Sequence, residues 1–434
     1  MSNKVNVNFE NVIGQIKPMH AVNNAPIVGL DQYFYYVKEA GFPFSRLHDT
    51  GGAYGGNRFV DIHNVFRNFD APVDDPDSYD FAFTDILISS LIKNGAQPFF
   101  RLGETLESYH NIKAYYIYPP KDFNKWAQIC EHIVRHYNEG WANGFYYDIK
   151  YWEIWNEPDN GPENANNAMW QGTFEEYMEL YKVASLHLRN CFPDIKIGGY
   201  SSCGFYHIFD KEFCADEANI SSKLYYFVEC FEKFLKFAEN NKLPLDFLTW
   251  HSYSSVDKNI LYAEYVRDML DKHGFVKTEN ILAEWNPGTK YKGTLNDAAN
   301  IAENMHGLQN TSLDMAIYYN GAIGGSYGGL YNPITYKPHK AFYVFKAFNE
   351  LYKLKNQLEI TGLPDGITAV AASNNGEYAI MLTNKNDTKV ISFEQLKNGS
   401  VYRINEEKSL ELCQQSTVDL EFAQFETVLI KGKL

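Results

Sequence analysis

Cysteine is scarce and unpatterned in this chain. Six residues in 434, at positions 130, 191, 203, 214, 230 and 413, form no CxxC pair and no regular spacing. No disulfide framework is expected, and free or buried thiols suit a reducing compartment. No run of about 18 uninterrupted apolar residues occurs, so no bilayer-spanning segment is expected. Basic residues are outnumbered, 39 against 54 acidic, and the formal charge is −15. Nucleic acid and anionic membranes both require a basic footprint, so neither is an expected partner. The start, Met1-Ser-Asn-Lys-Val-Asn-Val-Asn-Phe-Glu, lacks a basic segment followed by an apolar core. No signal peptide is read there, and the expected address is cytoplasmic. Internal repeats and low-complexity tracts are absent. The Gly-rich run Gly321–Gly329 lacks the Lys-Ser/Thr of a phosphate loop and reads as a rim loop.

Aromatics, by contrast, are abundant: 32 Tyr, 30 Phe and 7 Trp. Most suit a large core, and the remainder suit a carbohydrate cleft, where sugar C–H faces pack on aromatic planes. Short apolar runs alternate with longer amphipathic ones over residues 10–350. Strands are expected near 11–16, 43–48, 96–101, 149–156, 194–199, 245–251, 279–284 and 313–319. Helices are expected over 79–94, 122–137 and 173–191, the last opening with the capping pattern Thr173-Phe-Glu-Glu. Eight such units predict an α/β fold, a closed (β/α)8 TIM barrel, whose site forms at the C-terminal strand ends. Long loops at 49–78, 102–120 and 200–221 would build its rim. Residues 351–434 change texture to short alternating runs with turns at Asn375-Gly376 and Asn398-Gly399. They predict a small antiparallel β-sandwich domain, with residues 1–9 a candidate extra strand.

Two runs carry the chemistry: Tyr151-Trp-Glu-Ile-Trp-Asn-Glu-Pro and Ile281-Leu-Ala-Glu-Trp-Asn-Pro-Gly. Each delivers a Glu at a strand end and then breaks into a Pro-bearing turn. Paired carboxylates at two strand tips are what double-displacement glycoside cleavage needs. Glu157 is the general acid/base candidate, its pKa expected to be raised by burial and a second carboxylate. Glu284 is the nucleophile candidate, with Arg46 and the Tyr253 hydroxyl expected to stabilise its charge. Side-chain alternation also turns His48, Arg101, Glu153, Trp155, Leu282 and His251 inward. Glu153, deeper in the barrel, is read as a structural partner of Arg101 or Arg46. Asn156 is expected to hold the sugar 2-hydroxyl, which requires the strand end to twist or bulge. His48, His251, Tyr319 and Trp285 complete the expected substrate contacts, with Trp285 placed between core and site wall. The two histidines lack carboxylate spacing for a metal and suit hydrogen bonding, so neither metal nor organic cofactor is expected. Ser201, Ser202 and Cys203 lack a base-and-acid pattern for nucleophilic catalysis.

The chain resembles the retaining glycoside hydrolases of the large (β/α)8 clan, and within it glycoside hydrolase family 39, which includes β-xylosidases and α-L-iduronidases. The resemblance rests on Phe44-Ser-Arg-Leu-His, Trp152-Glu-Ile-Trp-Asn-Glu-Pro, Pro193-Asp-Ile-Lys-Ile-Gly-Gly, Pro244-Leu-Asp-Phe-Leu-Thr-Trp-His-Ser-Tyr and Leu282-Ala-Glu-Trp-Asn. It implies Glu157 as acid/base and Glu284 as nucleophile, acting on a small saccharide such as a β-D-xyloside. Asp49-Thr-Gly-Gly and Tyr318-Tyr-Asn depart from the family pattern at positions that shape the sugar pocket. β-Glucosides, β-galactosides and α-L-arabinosides stay open as substrates. So do an inactive carbohydrate-binding barrel, an inverting or metal-assisted hydrolase, and a homo-oligomer.

Overall fold

In the computed structural model of this chain, short strands and amphipathic helices alternate around an eight-stranded closed barrel. The structure describes all residues except 1–2, 25, 27–32, 49–59, 106–116, 163–166, 209–221, 325–326, 394–395, 397–398 and 415–418. The barrel strands are Ala21–Asn23, Phe44–Leu47, Gln97–Leu102, Tyr151–Ile154, Lys196–Ser202, Phe247–Ser252, Glu279–Trp285 and Met315–Tyr318. All run parallel, and the eighth closes on the first through Ile317–Ala21 and Tyr318–Val22.

Seven of these strands overlap the expected ones; the first does not. Residues 11–16, expected to open the barrel, fall largely within Asn6–Gln15, which pairs antiparallel with Asn356–Thr361 in the other sheet. Val12 and Ile13 there are about half exposed (50% and 51%), whereas Ala21 and Val22 are buried. A three-residue strand is too short to show a period of its own.

The helices start where local chemistry dictates. Asp122 accepts from the backbone N–H of Asn124 (2.9 Å) and Lys125 (3.2 Å), opening Phe123–Glu139. Thr173 and Glu176 form a reciprocal capping box at the start of Phe174–Cys191. The first of these helices buries Trp126, Ile129, Cys130, Ile133 and Val134 against the barrel.

Two apolar layers separate inside and outside. The lower lumen is filled by Phe44, Phe99, Tyr151, Phe247, Ile281, Ala283, Met315 and Ile317. A larger shell between strands and helices holds Trp126, Trp152, Trp155, Trp250 and Trp285. The lower barrel is thus a packed cylinder, and sites in this architecture form at the rim.

Beyond the last helix, Lys340–Leu354, the chain forms a seven-stranded antiparallel sheet facing a three-stranded one. Val5, Val7, Ile380, Leu382, Ile391, Phe393, Leu420 and Phe422 make the core of this sandwich. The small sheet is mixed, because Asn3–Lys4 runs parallel to Lys389–Ser392. The expected turn at Asn375-Gly376 joins Ile367–Asn374 to Glu377–Asn384, both turn residues having positive φ (50° and 78°). That is the geometry the right-handed strand twist favours in a two-residue hairpin. Asn398 of the second expected turn, Asp49-Thr-Gly-Gly and large parts of the three long loops lie outside the described residues. Among the described residues, no helix is long and apolar enough to cross a membrane.

Candidate active site

Backbone irregularities at the strand ends, rather than plain alternation, assemble the rim. The fourth strand runs regularly with Tyr151 in the lumen and Glu153 above it. Trp155 and Glu157 then take positive φ (73° and 46°), which inverts the expected order. Trp155, expected inward, turns out to Trp126 and Trp170, its indole N–H donating to the Met169 carbonyl (2.9 Å). Asn156 turns in and accepts from Arg46 Nη2 at 2.6 Å. Glu157 stands at the lip, its backbone N–H bonded to the Ser201 carbonyl (3.0 Å).

The seventh strand carries a bulge. Trp250 of the sixth strand pairs with Leu282, but His251 pairs with Glu284. The extra residue lets Ala283 and Glu284 both face inward, while Leu282 and Trp285 face the helices. Two expectations are thereby corrected. Leu282 does not share a face with Glu284. Trp285 does not line the sugar site; it is fully buried, packed edge-on to Tyr318 with ring centroids 5.3 Å apart.

Arg46 on the second strand is the hub. Its Nε donates to Glu153 (2.8 Å), Nη1 to Asn23 (3.0 Å) and Glu284 Oε1 (2.8 Å), and Nη2 to Asn156 (2.6 Å) and Ser201 Oγ (2.9 Å). All five guanidinium N–H groups are used at a fully buried position. Burial opposes its charge, but Glu153 and Glu284 hold the guanidinium pKa above its ordinary value. Arg101 goes elsewhere, to Asp61 (2.7 Å) and Thr105 (3.1 Å), so Glu153 belongs to Arg46.

Tyr253 donates its hydroxyl to Glu284 Oε2 at 2.8 Å, so both oxygens of that carboxylate are held. Burial, and then the Glu284 charge, push the Tyr253 phenol up and keep it a donor. His251 lies between the two carboxylates, with Nδ1 2.7 Å from Glu157 Oε1 and Nε2 3.6 Å from Glu284 Oε1. Its Nε2 is also 2.7 Å from Ser201 Oγ. One donor atom each from Glu157, His251 and Glu284 lie within 4.8 Å of one another, a set that could also hold a metal ion.

For Glu157 and His251 the pKa shifts depart from expectation. Burial alone would raise the Glu157 pKa, but bonds from His251 and Asn160 outweigh it and hold the carboxyl below its ordinary range. Burial likewise opposes a charged His251, but Glu284 and Glu157 hold its pKa up. Both directions favour the ion-paired form, with His251 one hydrogen bond from Glu157. The expected raised carboxyl appears instead at buried Asp159, pushed up to about 7 by burial and by the Glu157 charge. Asp159 accepts from Ser202 Oγ (2.9 Å) and the Cys203 backbone N–H (3.2 Å), tying the turn after Glu157 to the fifth strand.

The other nominated residues gather at the same rim. His48 Nε2 lies 3.4 Å from Asn156 Nδ2 and 3.9 Å from Glu284 Oε1. The half-buried Tyr319 ring faces His48 and Tyr253, each at 6.5 Å, while Tyr318 points into the shell. Residues 46, 48, 156, 157, 251, 253, 284 and 319 thus come together, and 285 does not. Asn23 and Ser201 were missed as contacts. Asn23 sits on the strand that periodicity misplaced, and Ser201 enters through an irregular register between Tyr200 and Ser202.

Comparison with known proteins gives the family. The family model of glycosyl hydrolases family 39 matches residues 31–310. The chain belongs to that family. A β-xylosidase from Caldicellulosiruptor saccharolyticus is 28% identical over 224 residues, 50% of this chain and 37% of that protein. A β-xylosidase from Geobacillus stearothermophilus is 26% identical over 238 residues, 52% of this chain and 39% of that protein. The matched segment is thus well under half the length of these curated relatives. A glucosidase structure from Croceicoccus marinus shares the family 39 chain's fold throughout, with TM-score 0.77, 20% identity and 99% of both chains covered.

Proposed function

We propose that this family 39 chain hydrolyses O-glycosidic bonds with retention of configuration, using Glu157 as general acid/base and Glu284 as nucleophile. The observation that carries the reading is the approach of the two carboxylates, with oxygens within 4.8 Å of one another. Retaining enzymes keep their carboxyl groups about 5–5.5 Å apart, whereas inverting ones leave about 6.5–9.5 Å for a water. β-D-Xylosides are the proposed substrates, supported by the two β-xylosidase relatives. A β-glucoside is the second reading, favoured by the full-length likeness to the Croceicoccus glucosidase fold. A reducing, cytoplasmic setting is proposed from five described cysteines that are all free thiols.

The geometry suits each step. Glu284, ionised and held by Arg46 and Tyr253, attacks the anomeric carbon as Glu157 protonates the leaving oxygen. A bound sugar displaces water from the rim, which disfavours the charged His251–Glu157 pair and moves the proton onto the carboxyl. Asn156 has its oxygen fixed by Arg46, so its amide N–H₂ is turned to donate to the sugar 2-hydroxyl. After departure of the aglycone, Glu157 accepts a proton from the attacking water and the sugar leaves with its original anomeric configuration.

A panel of aryl glycosides followed by NMR tests this. Aryl β-D-xyloside turnover should yield β-xylose first, and Glu284→Ala with azide should yield the α-xylosyl azide. First-formed α-xylose, or near-normal turnover by Glu284→Ala, would overturn the mechanism. Binding without aglycone release would favour a carbohydrate-binding barrel, and preference for the glucoside would move the substrate.

A further inference from the structure

Far from the rim, two neighbouring helices present a mixed donor set that the glycosidase reading does not use. Glu131 lies midway along Phe123–Glu139, and His187 and Cys191 lie one turn apart at the end of Phe174–Cys191. That i, i+4 spacing puts imidazole and thiol on one face of their helix. His187 Nε2 is 2.6 Å from Glu131 Oε2 and 3.9 Å from Cys191 Sγ, and the three donor atoms all lie within 4.8 Å of one another. We propose that Glu131, His187 and Cys191 form a site for a zinc-type divalent transition metal, with the fourth position left to water.

The donor chemistry selects the ion. Thiolate and imidazole favour zinc over magnesium or calcium, and three protein ligands leave one open place in a tetrahedral shell. Metal–ligand bonds of about 2.0–2.3 Å require donor atoms roughly 3.3–3.8 Å apart. The histidine–cysteine pair is close to that, and the closer histidine–glutamate pair opens when an ion replaces the proton they share. Arg135 Nε holds the other oxygen of Glu131 at 2.8 Å, which orients the carboxylate toward His187. Arg135 is also the positive charge facing the site, and Glu139 pairs with it on the next turn. Access is open, since the Glu131 and His187 side chains are 15% and 29% exposed. Binding deprotonates the Cys191 thiol and releases that proton to solvent, with no change of oxidation state.

Location gives the consequence. Cys191 ends the helix just before the strand Lys196–Ser202, at the barrel end opposite the carboxylates. An ion there would clamp two helices of the outer ring and act on stability rather than on turnover.

Titration of the reduced, chelator-treated full chain with Co²⁺ tests the site. The expected result is a near-ultraviolet thiolate-to-cobalt band and tetrahedral visible absorption, both abolished by excess Zn²⁺. Cys191→Ser should remove the charge-transfer band. Cys191→Ser and His187→Gln should each weaken Zn²⁺ binding, read by chelator competition, at least about 100-fold. Cys413→Ser, at an exposed thiol in the sandwich, should leave both readouts unchanged. Zn²⁺ should raise the Tm of the wild-type chain and not that of Cys191→Ser, while aryl-glycoside turnover stays the same in all three variants. Absence of the band in the wild-type chain, or its persistence in Cys191→Ser, overturns the proposal. If circular dichroism shows Cys191→Ser misfolded, unchanged Zn²⁺ affinity in His187→Gln does so instead.

Discussion

The two ends of the barrel lumen treat burial in opposite ways. Below, Phe99, Tyr151, Phe247, Ile281 and Ile317 fill the cylinder with apolar surface. Above, Arg46, Glu153, Glu284, Asn156 and His251 are just as buried, yet polar. Charge is tolerated there because the network is nearly closed: Arg46 spends every N–H and Glu284 has both oxygens held. Histidine makes the contrast sharpest. Between two carboxylates, the pKa of His251 is held above its ordinary value, whereas burial drives His20 and His306, hydrogen-bonded to the neutral Asn349 and Thr368, down to about 3. One residue type shifts in opposite directions because local partners, rather than depth, decide the outcome.

Replacing the hub should break that contrast most severely. Arg46→Met leaves Glu153 and Glu284 buried without their cation, and should cost about 3–5 kcal/mol of stability together with most turnover. Urea unfolding and aryl-glycoside kinetics read the two losses, and a stable, active Arg46→Met would show the network to be dispensable. At the lower end, Phe247→Ala opens a cavity, with a similar or slightly smaller expected loss of about 3–5 kcal/mol. Here kcat of the folded fraction should stay near that of the wild type, which separates scaffold from site.

Tyr253→Phe is a milder probe. It removes one bond to a charged oxygen, worth about 1.5–3 kcal/mol, so the unfolding free energy should fall by up to that amount and kcat/KM by roughly 10- to 150-fold. Per pH unit, the smallest effect belongs to the neutral histidines. Their folded pKa values lie below the ordinary 6.5, so between about 3 and 6.5 the unfolded chain binds protons that the native chain does not. Each histidine should therefore subtract up to about 1.4 kcal/mol per pH unit as pH drops through this window, a loss that the raised carboxyl of Asp159 partly offsets. Unfolding free energies from pH 7 to 4, compared between the wild type and His306→Gln, isolate one histidine's share, and the variant should lose about 1.4 kcal/mol less per pH unit.

Much of the site was legible in the sequence. The Asn-Glu-Pro and Glu-Trp-Asn-Pro runs name their carboxylates, and regular alternation correctly turned Arg46, His48, His251 and Tyr253 to one side. Alternation failed at three places where the backbone is irregular. Positive φ at Trp155 and Glu157 exchanged Trp155 for Asn156, a bulge exchanged Leu282 for Ala283, and the short strand Ala21–Asn23 hid Asn23. Period-two reasoning assumes a straight ladder, and sites gather where ladders bend.

Composition and periodicity were enough to determine the barrel class, the following sandwich, the helix starts at Asp122 and Thr173, and which two carboxylates stand at strand ends. These are properties of residues a few positions apart, where propensity and spacing act directly. Tertiary structure alone decided that His251 bridges Glu157 and Glu284, that Arg46 takes Glu153 while Arg101 takes Asp61, and that Trp285 faces the helices. Those outcomes depend on register between strands up to 238 residues apart, as for Arg46 and Glu284, and on which partner relieves each buried charge.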